Sequence, residues 1–135
     1  MGVDVGTVRV GIALSDPRGV LATPLTTLAR DEFRGADLAA AAALVVEHDV
    51  VEVIVGLPLT LAGSEGVSAA MAREWADGLR GQVGEIPVLM VDERLTTVSA
   101  TQALHASGRK TKSHRAYIDQ AAAVALLQGY LDGSS

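Results

Sequence analysis

Apolar and polar residues alternate from the start of the chain. Positions 3–5 and 8–14 are runs of β-branched residues with a period of two, separated by Gly6 and Thr7. They predict the two strands of a hairpin. Asp16-Pro17-Arg18-Gly19 then supplies a turn, and 20–28 reads as a third strand. The period changes at 33–48, where alanine and leucine dominate and a helix is expected. A short apolar run, 52–57, predicts a buried strand that stops at Pro58, which has no N–H to donate to a ladder. After a Gly- and Ser-bearing loop, 67–80 carries Met71, Trp75 and Leu79 at helical spacing, and these three are expected in the core. Another apolar strand is expected at 87–91, and a helix at 96–107 with Gly108 as its stop. A last helix follows, capped by Ser113 and running to about Leu131. A meander of three strands followed by strand–helix crossovers makes an α/β chain. Its mixed five-stranded sheet has three antiparallel strands and two parallel ones, flanked by helices.

Composition narrows the class. The 135 residues suit one domain, 1–135, with one core, and 49% of them are apolar. No apolar run approaches the roughly 20 residues of a membrane helix, and no basic-then-apolar leader opens the chain. There is no cysteine, so disulfides and thiolate metal sites are excluded. The expectation is a cytoplasmic protein with no membrane partner.

Charge changes the picture more than composition does. The chain has 16 acids and 11 bases, a net −5. Five of the bases (Arg94, Arg109, Lys110, Lys112 and Arg115) fall within 94–118, which contains no acid. That stretch carries +5 and the remainder −10. One basic stretch on an acidic body can bind a polyanion locally, although a solvated basic loop would look the same.

Three acids stand out by context. Asp4 lies in an apolar strand between Val3 and Val5, where a carboxylate is costly unless something pairs with it, and Arg9 from the next strand could be that partner. Asp92 and Glu93 end an apolar strand, the end at which α/β sheets bind ligands. Adjacent strand residues point to opposite faces, so one of the two should share a face with Asp4; spacing alone leaves open which. Asp119 lies near the start of the last helix, just before Ala121, Ala122 and Ala123, whose small side chains would let that helix sit close to the sheet. An acid near a helix N-terminus is also favoured by the macrodipole alone. Taken together, acids from distant parts of the chain make an oxygen-ligand set for Mg2+ or Mn2+. Two such ions can activate a water and stabilise a leaving oxygen, with no protein nucleophile required. The histidines (His48, His105 and His114) have no nucleophile-elbow neighbours that would suggest a Ser-His-Asp set. The basic residues 109–115 precede the Asp119 helix and could hold phosphates beside the metals, helped by free amides at the helix start. With one Phe, one Trp and two Tyr in all, base stacking on aromatic rings is not the expected mode.

Four blocks in order, D-V-G-T-V-R-V-G-I-A from Asp4, G-L-P-L-T-L-A-G-S-E-G from Gly56, D-E-R-L-T-T from Asp92 and D-Q-A-A-A-V-A-L-L-Q from Asp119, span nearly the whole chain. In these the sequence resembles the YqgF/RuvX family, described as Holliday junction resolvases and as nucleases that process the 5′ end of precursor 16S ribosomal RNA. The resemblance implies a ribonuclease H-like fold. It implies Asp4, Glu93 and Asp119 as catalytic, metal-holding acids, and it thereby selects Glu93 over Asp92. Arg9, Arg94 and Thr97 fall beside them, with Arg9 and Arg94 expected, like the basic stretch, to contact nucleic acid. Family members carry several residues ahead of the first acid, whereas Met1 stands three positions before Asp4, so a shortened first strand is expected.

The expected activity is therefore a hydrolase of phosphodiester bonds using two ions of Mg2+ or Mn2+. Its expected partner is structured RNA or branched DNA, with processing of the ribosomal RNA precursor slightly ahead. A junction resolvase is the alternative; it makes two symmetric nicks and would need two sites, hence a homodimer. A non-catalytic ribosome-assembly module is weakened by the full set of acids, which is costly to bury without metal. An actin-like or sugar-kinase ATPase also opens on Asp-x-Gly-Thr but needs two such domains.

Overall fold

The computed structural model describes residues 1–93 and 114–133, the last helix with its side chains from Gln120 onward. Five strands form one sheet in the order β3-β2-β1-β4-β5. They are β1 (Gly2–Val5), β2 (Arg9–Ser15), β3 (Ala22–Ala29), β4 (Val53–Leu57) and β5 (Val88–Asp92). β1 pairs antiparallel with β2, and β2 antiparallel with β3; β1 runs parallel to β4, and β4 to β5. This is the mixed sheet expected from the meander and crossovers. The helices are α1 (Ala36–Glu47), α2 (Val67–Val83) and α3 (His114–Gly133). None of the described helices is long and apolar enough to cross a membrane. The helix expected at 96–107, its stop at Gly108 and its successor's cap at Ser113 lie outside the described residues.

The two faces of the sheet are built from different side chains. α1 and α2 cover a face of bulky β-branched residues, including Val3, Val5, Val10, Ile12, Val53 and Val55, with Trp75 and Leu79 buried against them and Met71 at the margin. These are the core residues expected of the second helix. α3 covers the other face, where Ala13, Ala22 and Ile54 meet Ala123, Leu126 and Leu127. That helix sits close. A Cβ on Gly2 would lie 2.7 Å from the Leu127 Cβ and 3.0 Å from the Ala123 carbonyl oxygen. Two glutamines fix its height. Gln120 Nε2 donates to Thr27 Oγ1 at 2.9 Å, while Gln128 accepts from the Ala22 amide (2.9 Å) and donates to the Val20 carbonyl (2.8 Å).

α2 runs three residues past its expected end, to Val83, and two element starts lie two or three residues late for one physical reason. β3 begins at Ala22 rather than at 20, because Asp16 Oδ1 takes the amides of Val20 (2.7 Å) and Leu21 (3.1 Å) into the preceding turn. α1 begins at Ala36 rather than at 33. The Asp31 carboxylate accepts from the amides of Arg34 and Ala36, Gly35 turns with φ 68°, and Phe33 is left fully exposed. In both cases an Asp side chain competes successfully with the regular ladder for backbone donors.

Candidate active site at the sheet edge

β1, β4 and β5 all end at the same edge of the sheet. In β1, Val3 and Val5 enter the core under α1 and α2, so by alternation Gly2 and Asp4 face α3. Gly6 then closes the tight turn into β2, its N–H bonding the Arg9 carbonyl at 2.8 Å. Register places Gly2 opposite Ile54 and Val3 opposite Val55, so the next step sets Asp4 beside Gly56. In β5, Val91 packs on the α3 side and Met90 on the other. Glu93, two residues beyond Val91, returns to the α3 side, whereas Asp92 lies between them opposite Leu57.

The result is a carboxyl pair that bridges β4. Glu93 hydrogen-bonds with Asp4, and its pKa is pushed up to about 8. Burial is the largest cause, followed by the bond to Asp4 and the negative charges of Asp4 and Asp92. Two carboxyls this close cannot both ionise cheaply without a cation, so the pair retains a proton.

Gly56 makes the contact feasible. A Cβ there would fall 2.7 Å from Glu93 Cγ and 2.9 Å from its Cδ, so any side chain would displace Glu93. In the sequence Gly56 falls inside a buried strand and heads one of the four family blocks, and neither gives it a role. The signal was present, since a glycine inside a strand marks a place that something must approach closely.

Of the expected site residues, the structure brings Asp4 and Glu93 together. Asp119 lies on α3, and its side chain is outside the described residues. The helix itself is level with the pair. Gln120, the next residue, bonds Thr27; Thr27 pairs with Gly11, and Gly11 with Asp4. Arg9 starts β2 at the same edge. Arg94, Thr97, Arg109, Lys110 and Lys112 lie outside the described residues, as does the side chain of Arg115. Among the described residues there is no group of three or more His, Cys, Asp or Glu able to hold a metal ion. Asp4 and Glu93 supply two oxygen-bearing groups, which suits a hard divalent cation: a cation would take the place of the shared proton.

The sequence and the fold have counterparts. The model of the RuvX family, described as Holliday junction resolvase, matches residues 1–133. A protein of Rhodococcus opacus with the provisional name pre-16S rRNA nuclease is 53% identical, covering 100% of this chain and 78% of its own length. One of Mycobacterium ulcerans with the same provisional name is 57% identical over 98% of this chain and 77% of its own. In three dimensions the chain is similar to T. thermophilus RuvC, solved with a Holliday junction substrate. The TM-score is 0.58 at 16% identity, covering 98% of this chain and 92% of the other. The likeness to RuvC establishes the ribonuclease H-like fold, and the match over nearly the whole sequence establishes the lineage: the chain belongs to the RuvX family of nucleases.

Proposed function

We propose that the chain is a metal-dependent endonuclease that trims the 5′ end of precursor 16S ribosomal RNA in the cytoplasm, with Asp4, Glu93 and Asp119 as its catalytic acids. The observation that carries this reading is the Asp4–Glu93 carboxyl pair reaching across Gly56 at the C-terminal edge of the parallel strands. The provisional name shared by relatives above 50% identity supports the choice of substrate.

Asp4, Glu93 and Asp119 would hold Mg2+ or Mn2+, one ion or two, which would supply an activated water and charge stabilisation for the leaving oxygen. The protein's share is positioning. Asp4 is fixed by its strand and Glu93 by the gap over Gly56, so neither has to be reorganised when substrate arrives. Glu93 would give up its proton on becoming a ligand. Asp119 completes the set from a helix that Gln120 ties at the height of Asp4. Arg9, Arg94, Arg109, Lys110, Lys112 and Arg115 hold the flanking phosphates, which fix register without reading bases. Products with a 5′ phosphate and a 3′ hydroxyl are expected.

The family model's description, Holliday junction resolvase, favours a second reading, cleavage of four-way DNA, whose two symmetric nicks would need a dimer. One experiment separates the two. Purified protein is given Mg2+ or Mn2+ with a labelled precursor leader RNA and, separately, a four-way DNA junction, with Asp4→Asn alongside. The reading predicts metal-dependent cutting of the RNA that Asp4→Asn abolishes. Cutting of the junction alone would replace it with the resolvase reading, and cutting of neither by folded protein would leave a binding module.

A further inference from the structure

The connection from β4 to α2 is tied more firmly than a loop requires. Leu59 and Glu65 pair as an antiparallel bridge. Above them the Thr60 amide donates to the Ser64 carbonyl at 2.8 Å, the Ser64 amide to Thr60 Oγ1 at 3.2 Å, and the two hydroxyls meet at 2.8 Å. Gly63 turns the tip with φ 84° and donates to the Thr60 carbonyl at 2.8 Å. The base is clamped to α2 by a bidentate Arg73–Glu65 pair at 2.6 and 2.7 Å. At the tip, Leu61 is fully exposed.

A lone exposed leucine is ordinary on a protein surface. Here, however, it stands on a turn braced by the Thr60–Ser64 bonds, with its side chain fully exposed. Its place is equally specific. The hairpin leaves the sheet one residue beyond Gly56, between the strand that carries Asp4 and the one that ends just before Glu93. Two more exposed apolar residues share that edge: Val8 in the β1–β2 turn and Val67 at the start of α2. On an acidic body the tip, 59–64, is uncharged, and the one acid at its base is paired with Arg73. The tip therefore adds no repulsion of its own toward a polyanion.

We propose that Leu61 is a wedge. It presses against a base beside the scissile phosphate and holds that base out of the stack, so that the backbone can enter the edge where Asp4 and Glu93 meet. Apolar side chains inserted at base steps act in this way in other nucleic-acid complexes. Leu61 is a specificity and positioning residue, and its role rests on the nuclease reading above. It predicts a requirement for Leu61 on base-paired substrate and none on single strands, which have little stacking to break.

The test uses a stem–loop leader RNA with 2-aminopurine at each position flanking the cut, with Ca2+ in place of Mg2+ for binding. Wild-type protein should raise the fluorescence of one flanking base. Leu61→Ser should bind without that rise and lose about tenfold in kcat/KM on the stem–loop, the scale of one base contact. It should cut a single-stranded version at the wild-type rate and melt at the wild-type temperature. Leu61→Phe should restore both the signal and the rate. An unchanged rise and rate in Leu61→Ser would overturn the wedge. If wild type binds but cuts no RNA, the substrate reading fails while the fluorescence still decides: a rise lost in Leu61→Ser supports the wedge, and no rise in wild type refutes it.

Discussion

Asp37 and the Asp4–Glu93 pair lie on opposite faces of one sheet and are built in opposite ways. Asp37, in the first turn of α1, is the most deeply buried charged side chain among the described residues, 3% exposed. Its polar partners are donors and a cation. The Trp75 indole N–H reaches it at 3.0 Å, the Leu38 amide at 3.0 Å, and the Arg30 guanidinium lies 3.9 Å away. Asp4 and Glu93 instead have each other, with the charge of Asp92 nearby, and Glu93 responds by holding a proton to about pH 8. A buried acid whose oxygens are matched by donors is part of the scaffold. Acids buried against each other raise their own cost, and a bound cation is the natural way to offset it.

Substitutions should separate the two. The largest effect is expected from Asp4→Asn and Glu93→Gln, each lowering kcat on the preferred substrate by about 10³-fold or more, with the melting temperature unchanged or raised in EDTA. Asp37→Ala should do the reverse. It leaves the Trp75 indole without its acceptor and Arg30 without the counter-charge beside it, and costs about 3 kcal/mol in urea unfolding, while the rate per folded molecule stays near wild type. Gly56→Ala lies between these, since it displaces Glu93 without removing it. A loss of about 10²-fold in kcat with a minor change in stability is expected, the scale of a misplacement of about 1 Å at a reacting centre.

The smallest effect is on stability against pH in metal-free protein. Glu93 has a folded pKa near 8, above its ordinary 4.5, so between these values the folded state holds a proton that the unfolded chain releases. Its contribution is complete below about 4.5 and is lost as pH rises through 8. Urea unfolding at pH 6 and 9 should show that decline in wild type, and Glu93→Gln should flatten it.

Much of the sheet was legible because β-branched alternation and short apolar runs are local signals, and all five strands stand within two residues of their expected places. The misplaced starts of β3 and α1 trace to Asp16 and Asp31, whose side chains capture backbone amides. Hydrophobic periodicity cannot register that competition. The choice between Asp92 and Glu93 was invisible for a different reason. Alternation gives opposite faces within a strand, but the phase between β1 and β5 is set by register through β4, which no local pattern encodes. The family resemblance selected Glu93, and the fold sets Glu93 beside Asp4. Gly56 passed as strand filler because its purpose, room for a side chain from β5, exists only in three dimensions.

The central claim is that Asp4 and Glu93 together hold the catalytic metal. The most direct measurement is a Mn2+ titration followed by electron paramagnetic resonance on wild type, Glu93→Gln and Asp37→Asn, with RNA cleavage assayed on the same samples. The account predicts saturable Mn2+ binding and cleavage in wild type and Asp37→Asn, and loss of both in folded Glu93→Gln. Mn2+ binding and cleavage that survive in Glu93→Gln would contradict it.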